Sequence, residues 1–147
     1  MKLVVLIGLP ASGKSYLGRQ MIENNKKAVF IDDVSMVGIK ELEKVIENGG
    51  FSDIIMSDVF LCREKDRQTF VKWISKYDFE IEWIFFENAP EKCLKNIKIR
   101  NNNGDVRKVE GLIYFLSKEY KIPCGVIVKK VFDISQKDRS DILLDSR

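Results

Sequence analysis

Short apolar runs alternate with longer amphipathic stretches along this chain. The first run, KLVVLI over Lys2–Ile7, has no polar alternation, the pattern of a strand covered on both faces. The spacing then predicts a helix over 13–25, with Leu17, Met21 and Ile22 on one stripe. A second short strand is expected over 28–31. Helical spacing returns over 37–48, with Ile39, Leu42, Val45 and Ile46 inward, and Gly49 and Gly50 end it as a C′ glycine does. Strands are predicted over 53–57 and 79–86, and a helix carrying Phe70, Val71 and Ile74 lies between them over 65–77. Pro90 suits a first helical position, and its helix runs to about residue 101. Asn101, Asn102, Asn103 and Gly104 are turn formers and break the pattern. A helix over 106–120 and a fifth strand over 125–131 follow, and the polar stretch from about 133 reads as a weakly docked tail.

Strands alternating with helices predict βαβ units, a parallel sheet and right-handed crossovers. Ligands of such sheets bind beyond the carboxyl ends of the strands. The residues just after each strand are therefore where chemistry is expected.

GLPASGKS, residues 8 to 15, occupies the first such position and satisfies G-x-x-x-x-G-K-[ST] in full, between a strand and a helix. In this motif backbone N–H groups turn inward as a nest for anionic oxygens, and the helix that follows adds its positive dipole end. Gly8, Ala11, Ser12, Gly13, Lys14, Ser15 and Tyr16 are the expected nucleotide-binding residues. Lys14 would reach the β- and γ-phosphates, and Ser15 would ligate Mg²⁺. The expected fold is thus α/β, a P-loop NTPase or kinase-type three-layer αβα sandwich. It holds a five-stranded parallel sheet and a helical lid over about 92–110, in a single domain over 1–147.

Composition narrows the chemistry. The chain has 147 residues, enough for one domain with one core. It has no histidine, which removes a Ser-His-Asp hydrolase and leaves a carboxylate, lysine or water as general base. Three scattered cysteines, Cys62, Cys93 and Cys124, argue against a disulfide framework and for a reducing, cytoplasmic setting. No apolar run approaches the roughly 20 residues of a membrane span, and no secretory leader is expected. The net charge of +3 permits an anionic partner without demanding a nucleic acid.

A GTPase would carry an Asn-Lys-x-Asp motif, which is absent, whereas a small kinase fits the length. A kinase needs a base, a second carboxylate near the metal and a cationic lid. Asp32 and Asp33 follow the second strand, where a carboxylate can accept the proton of an attacking hydroxyl; the plainer role for such a pair is a helix N-cap. Asp58 ends IIMSD like a Walker B aspartate, suited to the Mg²⁺ shell or to positioning the acceptor; a capping role is the alternative. Between Lys92 and Lys108 six cations face one acid, Asp105, a net +5. Arg100 and Arg107 are the candidates for phosphate contact, because a planar guanidinium donates two bonds to a phosphate. Trp73, Trp83, Phe85 and Phe86 fit core positions, while Tyr114 and Phe115 are the aromatics to watch near the lid.

In this order the motifs resemble the kinase domain of bacteriophage-type polynucleotide 5′-hydroxyl kinases and their small P-loop relatives. The shared features are GLPASGKS, the Asp-Asp pair, IIMSD, the strand FEIEWIFFE, an Ala-Pro-opened helix and Arg-Asn before the lid, over about residues 1 to 121. The resemblance implies ATP or another NTP with Mg²⁺ as cofactors. It also implies Asp32, or its neighbour Asp33, as the carboxylate that activates the hydroxyl. Asp58 matches the aspartate beside the P-loop, Arg100 a lid arginine, and Arg107 does so more loosely. The implied acceptor is a polynucleotide 5′-OH, at a single-stranded or nicked nucleic acid end. The family carries an arginine three residues past its catalytic aspartate, and Ser35 and Met36 stand there in this chain. A small-molecule kinase for a nucleoside, nucleotide or sugar is therefore the alternative, and a nucleotide-binding regulatory module with little turnover is a third reading.

Overall fold

The computed structural model describes residues 1–100 and 106–134. Its sheet has five parallel strands: β1 (Lys2–Ile7), β2 (Ala28–Ile31), β3 (Asp53–Asp58), β4 (Glu80–Phe86) and β5 (Ile127–Lys129). They lie in the order β2-β3-β1-β4-β5, which puts β1 at the centre. Helices α1 (Lys14–Glu23), α2 (Val34–Val37), α3 (Ile39–Asn48), α4 (Glu64–Ile74), α5 (Pro90–Arg100) and α6 (Val106–Glu119) connect them, with a 3₁₀ turn at Phe60–Cys62.

The central strand explains the three layers. Successive side chains of a strand point to opposite faces. On one face Val4 and Leu6 join Ile55 and Ile84 beneath Leu17, Met21 and Ile22 of α1. On the other, Leu3, Val5 and Ile7 join Ile54, Met56 and Phe85, packed with Phe70 and Ile74 of α4, Cys93 and Ile97 of α5, and Ile113 and Leu116 of α6. A strand apolar at every position from Leu3 to Ile7 therefore reads as a continuous greasy run. The buried Arg67 guanidinium ties α4 to its surroundings through the carbonyls of Leu61 (2.8 Å), Cys62 (2.9 Å) and Lys121 (2.8 Å).

Departures from the expected elements have local causes. The helix expected over 37–48 is two helices, because Gly38 at φ +97° interrupts the turn between α2 and α3. The fifth strand is shorter than expected and lies at the sheet edge, its three residues exposed. The 3₁₀ turn after β3 gave no periodic signal because it is only three residues long. Val131 and Ile134, 6% and 1% exposed, are buried against the body of the protein. The turn expected at 101–104, the tip of the expected lid and residues 135–147 of the expected tail lie outside the described residues. No described helix is long and apolar enough to cross a membrane.

Candidate active site

The loop after β1 is built around two glycines. Gly13 has φ +109°, a conformation that favours a residue without Cβ, and a Cβ there would sit 2.9 Å from Cβ of Phe132. At Gly8 a Cβ would lie 2.5 Å from Oγ of Ser12 and 2.9 Å from Cβ of Phe86. The loop closes over its own lysine. Nζ of Lys14 donates to the Leu9 carbonyl at 2.7 Å and to Oγ of Ser12 at 3.3 Å. Burial pushes the Lys14 ammonium below its ordinary pKa. Beneath the loop, the buried Tyr120 hydroxyl donates to the carbonyls of Ile7 and Phe86, joining the carboxyl ends of β1 and β4.

Strand register brings the acids to this loop. Ile31 pairs with Met56 and Ile7 with Asp58, so Asp32 emerges beside Ser57 at the edge that carries the loop. Asp32 accepts from Oγ of Ser15 at 2.8 Å and from Oγ of Ser57 at 2.6 Å. The fully buried Ser57 hydroxyl also accepts the Asp33 N–H at 2.9 Å. One β3 serine thus fixes both residues of the acidic pair. Asp33 stands at the N-terminus of α2 with φ +49°, yet its side chain makes no capping bond. Burial raises the Asp33 pKa first, and the Asp32 charge raises it further. Asp58 accepts from Oγ of Ser35 and from the Phe60 N–H, and burial raises its pKa against the pull of those bonds.

A cleft of about 420 Å³ gathers Ser12, Gly13, Lys14, Ser15, Asp32, Asp33 and Arg100, with Arg19 and Phe60 also on its wall. Most of the residues singled out in the sequence therefore meet in one place. Asp58 does not line this cleft; it lines a neighbouring cavity of about 440 Å³ with Ser35, Phe60, Arg63 and Trp73. Gly8 is buried beneath the loop. Tyr16 packs on Phe132, ring centroids 5.1 Å apart, and is not among the lining residues. Arg107 sits in the first turn of α6, likewise outside the lining set. Burial pushes the Cys62 thiol up to about 12 and that of Cys93 up to about 11, so neither offers a thiolate near neutral pH.

Two residues that sequence reasoning passed over organise the site. Ser57 is legible as a hydroxyl that directly follows the apolar run 54–56 of β3, where a buried hydroxyl requires a partner. Asn96 was readable as the amide on the inward stripe of α5, among Cys93, Leu94 and Ile97. The donors suit a hard cation. Ser15 and Asp32 offer oxygen on this cleft, and Asp58 offers it from the neighbouring cavity, a donor set whose chemistry suits a hard divalent cation such as Mg²⁺.

No family model matches the chain. Among solved structures, a fungal RNA kinase superposes with a TM-score of 0.67 at 14% identity, over 98% of this chain and 81% of that one. A gluconokinase from Sinorhizobium meliloti 1021 gives 0.61 at 12% identity, over 99% and 89%. Chaetomium thermophilum Kti12, in complex with ADP-AlF3, gives 0.60 at 14% identity, over 98% and 95%. At such identities the likeness establishes the fold, which is that of the P-loop kinases. Protein R277 of Acanthamoeba polyphaga mimivirus, itself uncharacterized, is 32% identical over 106 residues, 69% of this chain and 75% of that protein. The chain belongs to the family of this mimivirus protein, with a P-loop kinase-like fold.

Proposed function

We propose that the protein is an NTP-dependent phosphotransferase that moves a γ-phosphoryl group from ATP or a related triphosphate to a hydroxyl. The observation that carries this reading is the convergence of Lys14, Ser15, Asp32, Asp33 and Arg100 on one cleft. Backbone N–H groups of the loop and Lys14 bind the phosphates. Ser15, with Asp32 behind it, would hold Mg²⁺, and Asp58 from the neighbouring cavity would contribute to its shell. The metal supplies neutralisation of the phosphate charge when bound. Asp32 takes the acceptor proton, and Asp33 orients the acceptor. Arg100 stabilises charge on the transferring group, and Arg107 is its companion on the lid.

For the acceptor, the order of motifs favours a polynucleotide 5′-OH, single-stranded or at a nick. One observation favours a small acceptor, a nucleoside, nucleotide or sugar, instead. In the cavity beside Asp58 the cation is Arg63, and it is already bonded to Asp66 at 2.6 Å and stacked on Phe60 and Phe115. Transfer of label from γ-labelled ATP to a panel of 5′-OH oligonucleotides, nicked duplex, nucleosides and sugars tests both. Labelled oligonucleotide supports the first reading, and labelled nucleoside or sugar alone supports the second. Tight MgATP binding with no acceptor labelled sinks the transferase reading and leaves a binding module.

A further inference from the structure

We infer that Asn96 is a positioning residue for the phosphate loop and that it couples the loop to Arg100. This rests on the nucleotide-binding reading of that loop. Asn96 is 2% exposed and uses both ends of its amide. Nδ2 donates to the Ala11 carbonyl at 3.0 Å and to the Phe132 carbonyl, and Oδ1 accepts the Ile134 N–H at 3.2 Å. The Phe132 N–H in turn donates to the Ser12 carbonyl at 3.1 Å. One side chain therefore joins α5, the loop and the segment after β5.

The chemistry of an anion nest gives this arrangement its purpose. A carbonyl and the next N–H share one peptide plane and point in opposite senses. Holding the Ser12 carbonyl outward directs the Gly13 N–H the other way, into the loop. Outward carbonyls need donors, and Asn96 and the Phe132 N–H supply them at consecutive positions. The same brace holds Ala11 at φ +63°. Ala11 and Asp33 are the two non-glycine residues of positive φ among the described residues, and both lie on the cleft. Such conformations persist where surrounding contacts over-determine them. Arg100 lies four residues beyond Asn96, about one helical turn along α5, and lines the cleft. Fixing Asn96 to Ala11 therefore also fixes the reach of Arg100.

The test is calorimetric titration of MgADP and MgATP into the wild type, Asn96→Leu, Asn96→Asp and Ile97→Val, with melting curves of each. Ile97→Val trims the buried apolar face of α5 and leaves every hydrogen bond between Asn96 and the loop in place. Loss of MgADP affinity by about tenfold or more in Asn96→Leu, or in Asn96→Asp should the leucine variant not fold, is the expected result, matching one to two lost hydrogen bonds. Ile97→Val lowers the melting temperature and keeps affinity within about twofold. Arg100→Ala weakens MgATP binding in the wild-type background and adds little to Asn96→Leu. The inference is overturned if the Asn96 variants keep affinity within twofold while melting earlier, which is the mark of a purely structural amide. Additive losses for Arg100→Ala and Asn96→Leu overturn the coupling. A wild type that binds neither nucleotide overturns the phosphate-loop reading itself, and this inference with it.

Discussion

Ser57→Ala removes a hydroxyl with two duties. The wild-type group is fully buried, donates to Asp32 at 2.6 Å and accepts the Asp33 N–H at 2.9 Å. A hydrogen bond to a charged acceptor is worth about 1.5–3 kcal/mol, and a backbone N–H left without a partner costs about 1–3 kcal/mol. Relaxation and water entry recover part of this sum, so about 3 kcal/mol is the expected net loss. For a chain of this size that lowers the melting temperature by about 10 °C. Asp32 also loses one of its two hydroxyl anchors and retains only Ser15, so turnover falls while the loop keeps its hold on nucleotide. Scanning calorimetry and MgADP titration of the purified variant measure both effects. A stability loss below about 1 kcal/mol with unchanged turnover would refute the claim that Ser57 sets the acidic pair.

Three further perturbations follow from the same geometry. Burial and Asp32 raise the pKa of Asp33, so its contribution to stability is present in acid and lost as pH rises through its folded value. Asp33→Asn should therefore melt higher than wild type at pH 7, with the gap closing toward pH 4, and a melting series against pH that shows no gap contradicts this. Gly13→Ala forces a Cβ to 2.9 Å from Phe132 at φ +109°; a loss of about 1–3 kcal/mol and of MgADP affinity is expected by calorimetry. Tyr120→Phe removes the one buried O–H proton shared by the Ile7 and Phe86 carbonyls and should cost about 1–2 kcal/mol in denaturant unfolding.

The sequence discloses the sheet because each inner strand carries a short apolar run, 3–7, 54–56 and 83–86, and discloses the loop because its motif is complete over eight residues. It also places the Asp32–Asp33 pair at the carboxyl edge, since a segment that directly follows a strand of a parallel sheet lies there whatever the strand order. It does not disclose which acid touches Ser15. That depends on β2 and β3 being neighbours in register, a non-local pairing no local pattern encodes. The same holds for Asn96, whose partners lie 85, 36 and 38 residues away. The break at Gly38 is a glycine in the middle of helical spacing, and that spacing misplaces one residue: Leu42 is fully buried as expected, whereas Ile39, expected inward, is 37% exposed because it starts the new helix just after the break. The N-cap alternative for the acidic pair was reasonable from sequence, but the Asp33 side chain does not cap α2.

The claim that organises the rest is that a carboxylate held against the P-loop serine takes the acceptor proton. It is tested most directly by the rate of γ-phosphoryl transfer in Asp32→Asn, beside MgADP affinity measured on the same preparation. The account predicts a fall in transfer of about a hundredfold or more, with affinity changed only a few-fold. Transfer at the wild-type rate in Asp32→Asn would contradict it.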